Sequence, residues 1–142
     1  MDILNAGRML RCQREFVAER QWEKFHTPKN LSMALTIEAA ELMEIFQWLS
    51  PAEARRIMQD RPKGREVADE LADIFYYLLR LADTLGVNLE EAFWSKMGQN
   101  RAKYPVRLAR GNAKKYEAFL RGKGLHRRSK KGRLHKEPPE PN

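Results

Sequence analysis

Residues 30–49 read NLSMALTIEAAELMEIFQWL and residues 64–85 read GREVADELADIFYYLLRLADTL. Both stretches space their apolar residues with a helical period, and neither alternates as a strand does. Projected at ~100° per residue, Leu35, Leu42, Ile45 and Leu49 fall within ~80° of arc, and Glu38 falls inside that same arc. Glu41 sits on its edge, and Glu44 lies farther round toward the polar side. In the second stretch Ile74, Tyr77, Leu78 and Leu81 form the apolar stripe, with Glu70 inside it and Asp73 on its border. Asp69 and Asp83 point elsewhere and read as ordinary surface acids. Each helix therefore carries one carboxylate within its core-facing stripe and one on the margin.

Acids three or four residues apart are ordinarily a solvated face. Four carboxylates near a core are a different matter, because burial and mutual repulsion both penalise the charged form. The stripes of these two helices contain no Lys or Arg to offset that cost. A bound divalent cation is the economical solution. An all-oxygen ligand set suits a hard ion, Mg²⁺ first and Mn²⁺ as substitute. A di-iron bundle calls for Glu-x-x-His pairs. Here the motifs are Glu-x-x-Glu and Glu-x-x-Asp, with His26 in a loop and His126 and His135 near the C-terminus, so iron is disfavoured.

Outward from this pair, the punctuation places the remaining helices. The first covers about 4–19, and a loop with Trp22, Phe25, His26 and Pro28 follows. Asn30 is the expected N-cap of the helix reaching Leu49. Ser50-Pro51-Ala52-Glu53 combines a capping box with proline at the first helical position, opening a short helix that ends near Gln59. Gly86 suits the C-cap of the helix over 64–85. Asn88-Leu89-Glu90-Glu91 opens a last helix reaching Tyr104 before Pro105. No stretch reads as a strand, and the expected fold is an all-α, antiparallel four-helix bundle.

With 142 residues there is room for one domain. The net charge of +8 invites a nucleic-acid reading, but residues 1–109 hold 16 basic and 16 acidic side chains, whereas residues 110–142 hold 11 and 3. The basicity belongs to a tail. Residues 118–142 are Gly- and Pro-rich with few apolar side chains, too few to offset the entropy of ordering, and are expected to stay mobile. Residues 1–117 form the expected folded unit, small enough that pairing helices between subunits as a homodimer or homotetramer is expected. No apolar run reaches the roughly 20 residues that span a membrane. The N-terminus lacks the pattern of a signal peptide. The lone Cys12 reads as a small half-buried helix residue, and a cytoplasmic location is expected.

Glu38-Ala39-Ala40-Glu41 followed by Glu70-Leu71-Ala72-Asp73 resembles the metal signature of the MazG-like all-α nucleoside triphosphate pyrophosphohydrolases. The neighbouring words sharpen the resemblance. Trp22 to Leu31, Glu44-Ile45-Phe46-Gln47-Trp48, Ser95-Lys96-Met97, Asn100-Arg101 and Tyr104-Pro105 are similar to the dCTP pyrophosphatase branch. The broad superfamily often opens its first motif with an acidic doublet. Ile37 occupies the leading position here, a departure shared with that branch.

The resemblance implies hydrolysis of a nucleoside triphosphate, dCTP or a modified dCTP, to the monophosphate and pyrophosphate. Glu38, Glu41, Glu70 and Asp73 would hold Mg²⁺ on the triphosphate, with Glu41, or alternatively Glu38, accepting the attacking water's proton. It also assigns Trp22, His26, Trp48 and Tyr77 to the base and sugar pocket, and Lys96 and Asn100 to substrate contacts on the last helix. Without it, aromatics beside helix ends are more often core filler, and a buried Asn can simply fix helix register. Two other readings compete. A helical nucleic-acid-binding protein using the basic tail would leave the core-facing acids unexplained. A catalytically silent, metal-stabilised oligomer would have no use for the flanking aromatics.

Overall fold

Short polar side chains start nearly every helix. In this computed structural model, which describes residues 5–111, Asn5 accepts the Arg8 N–H and opens α1 (Ala6–Glu19). The chain turns at Gln21, a non-glycine residue in the left-handed region with φ of 53°. Thr27 caps α2 (Pro28–Phe46) by accepting the Asn30 N–H, with Pro28 at the first helical position. Asn30, the expected cap, lies inside the helix and donates its side-chain amide to the Phe25 carbonyl. The helix therefore begins earlier than its sequence suggested, and it ends at Phe46, short of Leu49.

The expected capping box of Ser50 and Glu53 is formed. It opens α3 (Pro51–Ala54), and a separate 3₁₀ turn, Ile57–Gln59, follows in place of one continuous helix. Asp60 caps α4 (Arg61–Leu85), which starts before Gly64 and encloses it. A Cβ on Gly64 would lie 3.3 Å from the Met58 Cα, so the glycine lets the turn sit close against the helix. Gly86 ends α4 in the left-handed conformation, φ 67°. Asn88 Oδ1 accepts the Glu90 and Glu91 N–H groups at the start of α5 (Leu89–Lys103), and a short α6 (Val106–Ala109) comes after Pro105. Among the described residues every regular element is helical, as an all-α fold requires. The expectation for residues 118–142 lies outside the described residues.

The chain divides after Phe93 into two compact units, and α5 runs across the division. In the first unit α2 and α4 form the main pairing, with α1 and the 3₁₀ turn against α4. Val17, Leu31, Ile57, Val67, Leu79 and Ala82 are its buried apolar residues. Gln13 is buried as well and donates Nε2 to the Tyr76 carbonyl at 2.7 Å. Because Gln13 takes the inward position on α1, its neighbour Cys12 turns outward and is exposed, not half-buried as expected. No helix among the described residues is long and apolar enough to cross a membrane.

Candidate active site

The pairing of α2 with α4 brings their acids together. Glu38, Glu41 and Glu70 each offer a carboxylate oxygen, and these oxygens lie within 4.8 Å of one another. Glu38 and Glu70 are half-buried, whereas Glu41 and Asp73 are exposed, the arrangement that a stripe and its margin produce. Asp73 falls outside the tight group of three, yet its charge acts on both half-buried acids.

Burial is the largest influence on Glu38, followed by the charges of Asp73, Glu41 and Glu70, and all four push its carboxyl above the ordinary carboxylate range. Glu70 is pushed up in the same way, by burial and then by Glu41, Asp73 and Asp69. Its Oε2 atom is shielded from solvent and has no hydrogen-bond partner. A hard divalent cation fits this group on three counts. The donors are all oxygen, one shielded oxygen lacks a partner, and the repulsion among the acids is what a cation would cancel.

Tyr77 borders the cluster. Its phenol is pushed up by burial first and then by the charges of Glu38, Tyr76 and Asp73. The ring meets Tyr76 edge to face at 5.3 Å.

A second group forms where the loop after α1 meets α4. The Trp22 ring packs edge to face on Phe16 at 5.9 Å and lies 6.4 Å from the His26 ring. The Arg20 guanidinium covers Phe16 at 3.6 Å. His26 Nδ1 accepts from Arg80 Nε at 3.3 Å, and Arg80 also donates to Asp83 at 3.0 Å. Asp83 accepts in addition from Arg14 Nε at 3.0 Å and from the Arg14 Nη2 group. Asp83 is thus no ordinary surface acid. Its side chain is 12% exposed, and the two arginines hold its carboxyl well below the usual range.

Of the other sequence-derived candidates, Trp48 is 87% exposed just beyond α2. Lys96 and Asn100 lie on the part of α5 that belongs to the second unit. Sequence reasoning missed Arg14, Arg80 and Asp83; the available signal was Arg80 standing three residues before Asp83 in an otherwise apolar run. A cavity of about 580 Å³ between α1 and the end of α4, lined by Leu10, Phe75 and Leu79 among others, holds none of the clustered acids. Asp83, Asn88 and Glu90 are its polar lining, and Asp83 is already engaged by Arg14 and Arg80.

Fold and site together define an all-α protein built around an acidic centre suited to a divalent cation. The chain belongs to the MazG-like family, which it matches over residues 33–119. It is 46% identical over 112 residues to dCTP pyrophosphatase 1 of Rattus norvegicus and 41% identical over 112 residues to that of Homo sapiens. Each match takes in 79% of this chain and 66% of the relative, so the chain spans just under two thirds of those proteins' length. A pyrophosphatase of known structure from Archaeoglobus fulgidus is 42% identical, with a TM-score of 0.67 over 74% of this chain and 96% of that one.

Proposed function

We propose that this chain is a Mg²⁺-dependent nucleoside triphosphate pyrophosphohydrolase that converts dCTP, or a modified dCTP, to dCMP and pyrophosphate. The observation that carries this reading is the set of three carboxylate oxygens within 4.8 Å, contributed by two packed helices. Likeness to dCTP pyrophosphatases and to an archaeal pyrophosphatase supports the choice of reaction.

Glu38, Glu41, Glu70 and Asp73 hold the cation, with Mn²⁺ as an acceptable substitute. When bound, Mg²⁺ offsets the triphosphate's charge and acidifies a water for in-line attack at phosphorus. The bond cut is the anhydride between the α- and β-phosphates. Glu41, the exposed member of the tight group, accepts the water's proton, with Glu38 as the alternative base. Trp22, His26, Trp48 and Tyr77 receive the base and sugar, Trp22 and Trp48 by stacking. Lys96 supplies positive charge to the phosphates and Asn100 a hydrogen bond.

The catalytic domain is residues 1–117, working in the reducing cytoplasm as a homodimer or homotetramer. Exposed Met33 and Ile37, one turn apart on the side of α2 away from its core stripe, give subunits an apolar surface to share.

The direct test is incubation with each triphosphate and Mg²⁺, separating the products. Pyrophosphate and dCMP should form fastest from dCTP. Release of single orthophosphate would overturn the mechanism.

A further inference from the structure

Among the described residues one side-chain hydrogen bond holds the His26 ring, and it fixes what the ring's other nitrogen can do. Arg80 Nε donates to His26 Nδ1 at 3.3 Å. A guanidinium has no lone pair to offer and does not lose its proton in proteins, so Nδ1 must be the acceptor. The single proton of a neutral imidazole then sits on Nε2. Arg80 is itself anchored. It donates to Asp83 at 3.0 Å, Arg14 closes on the same carboxylate from α1, and the Arg80 and Asp83 side chains are 11% and 12% exposed. Three parts of the first unit, α1, α4 and the loop before α2, meet in this chain of contacts.

We propose that Arg80, braced by Asp83, is a positioning residue for nucleotide recognition, holding His26 as the neutral tautomer whose Nε2–H faces the substrate as a hydrogen-bond donor. The proposal rests on the pyrophosphohydrolase reading for its substrate. In this scheme Arg80 contacts neither the clustered acids nor the phosphates; it acts through the imidazole. Burial and then the Arg80 charge keep the His26 ring below its ordinary 6.5, with Glu23 acting against them. Protonating the ring would remove the acceptor and set two positive groups against each other. A partner chosen by such a ring is a hydrogen-bond acceptor on the base or sugar, such as a carbonyl oxygen or an unprotonated ring nitrogen.

The experiment records imidazole ¹H–¹⁵N correlations on the full chain and dCTP kinetics on the same samples. In the unsubstituted protein at neutral pH, His26 should show only the Nε2–H form. Arg80→Gln should give mixed tautomers and a ring that titrates at higher pH. Its KM for dCTP should rise about tenfold while kcat changes less than about threefold, the split expected when binding and not chemistry is disturbed. Asp83→Asn should move both readouts the same way by less, and it serves if Arg80→Gln does not fold. An Nδ1–H ring in the unsubstituted protein, or an Arg80→Gln chain with unchanged tautomer or unchanged KM, overturns the proposal. Absence of pyrophosphate release from the unsubstituted protein would instead overturn the reading of function, and the ring spectra would still decide whether Arg80 sets the tautomer.

Discussion

Two acids of α4, Glu70 and Asp83, are opposites in everything but charge. Asp83 sits between Arg14 and Arg80, and its carboxyl is held below the ordinary range. Glu70 sits among Glu41, Asp73 and Asp69, with one shielded oxygen unpartnered, and its carboxyl is pushed above that range. A buried carboxylate answered by guanidinium groups is complete and serves to join helices. One surrounded by other carboxylates is at a cost that something outside the chain must offset. The first arrangement is complete within the chain and the second is the proposed cation site, and the distinction can be broken by experiment.

The largest expected effect is on turnover. Glu38→Gln or Glu70→Gln should lower kcat/KM for dCTP on the order of a thousandfold, as loss of a charged group acting on the reacting phosphate would. Retention of turnover by either variant would refute the metal assignment. The same substitutions should raise the melting temperature of the metal-free protein, because each removes a member of a repelling set.

Mg²⁺ itself should come next. At a free concentration a hundredfold above its Kd it should stabilise the folded chain by about 2.7 kcal/mol, read as a rise in melting temperature that EDTA reverses. Asp83→Asn should keep this response and Glu70→Gln should lose it. The pH dependence has a defined sign. A carboxyl raised in the folded state contributes stability that is fully present below its ordinary value of 4.5 and is lost as pH rises through the raised value. Metal-free protein should therefore lose stability, relative to Glu38→Gln, as pH climbs from that point toward neutrality. His26 is common to both proteins and cancels from the difference. Saturating Mg²⁺ should shrink it.

Much of this was legible from residue order. The caps Ser50, Gly86 and Asn88 act over a turn or less, so local chemistry revealed them. The wheel placed Glu38 and Glu70 in the stripes and Glu41 and Asp73 on the margins, because helical period alone decides which face a residue shares. Thr27 caps α2 where Asn30 is expected, and Pro28, suited to a first helical position, marks the residue before it as the cap. Asp83 does not show its role in the sequence because Arg14, its strongest partner, lies 69 residues away, beyond α2, α3 and most of α4. The inward turn of Gln13, and with it the exposure of Cys12, likewise depends on how α1 is rotated against α4. Contacts of that range leave no periodic trace.

Breaking the completed side of the comparison should cost stability more than chemistry. Asp83→Asn leaves Arg14 and Arg80 with a weaker acceptor, and loss of charge assistance should destabilise the fold by about 1.5 kcal/mol, measured by denaturant unfolding at neutral pH. The sign with pH is opposite to that of Glu70. Asp83 contributes stability present above its ordinary value of 3.8 and lost as pH falls through its lowered one. The gap between the two proteins should close in acid. A gap that persists there would mean that packing, not the ion pairs, holds this corner.

The smallest effect tests a third kind of uncompensated charge. Residues 110–142 carry 11 basic against 3 acidic side chains, while residues 1–109 balance. The clustered acids are costly because they are drawn together and partly shielded from water; a run of basic residues separated along the chain carries no such cost by its spacing, so it does not by itself specify a ligand. Deleting residues 122–142 should accordingly leave kcat unchanged within about twofold, with only a salt-sensitive loss in kcat/KM from weaker attraction of the anionic substrate. Duplex DNA binding that vanishes with the deletion while turnover persists would assign the tail a separate partner. A collapse of kcat would place catalytic groups beyond the helices that hold the acids, and the division between the completed corner and the acidic cluster would no longer account for turnover.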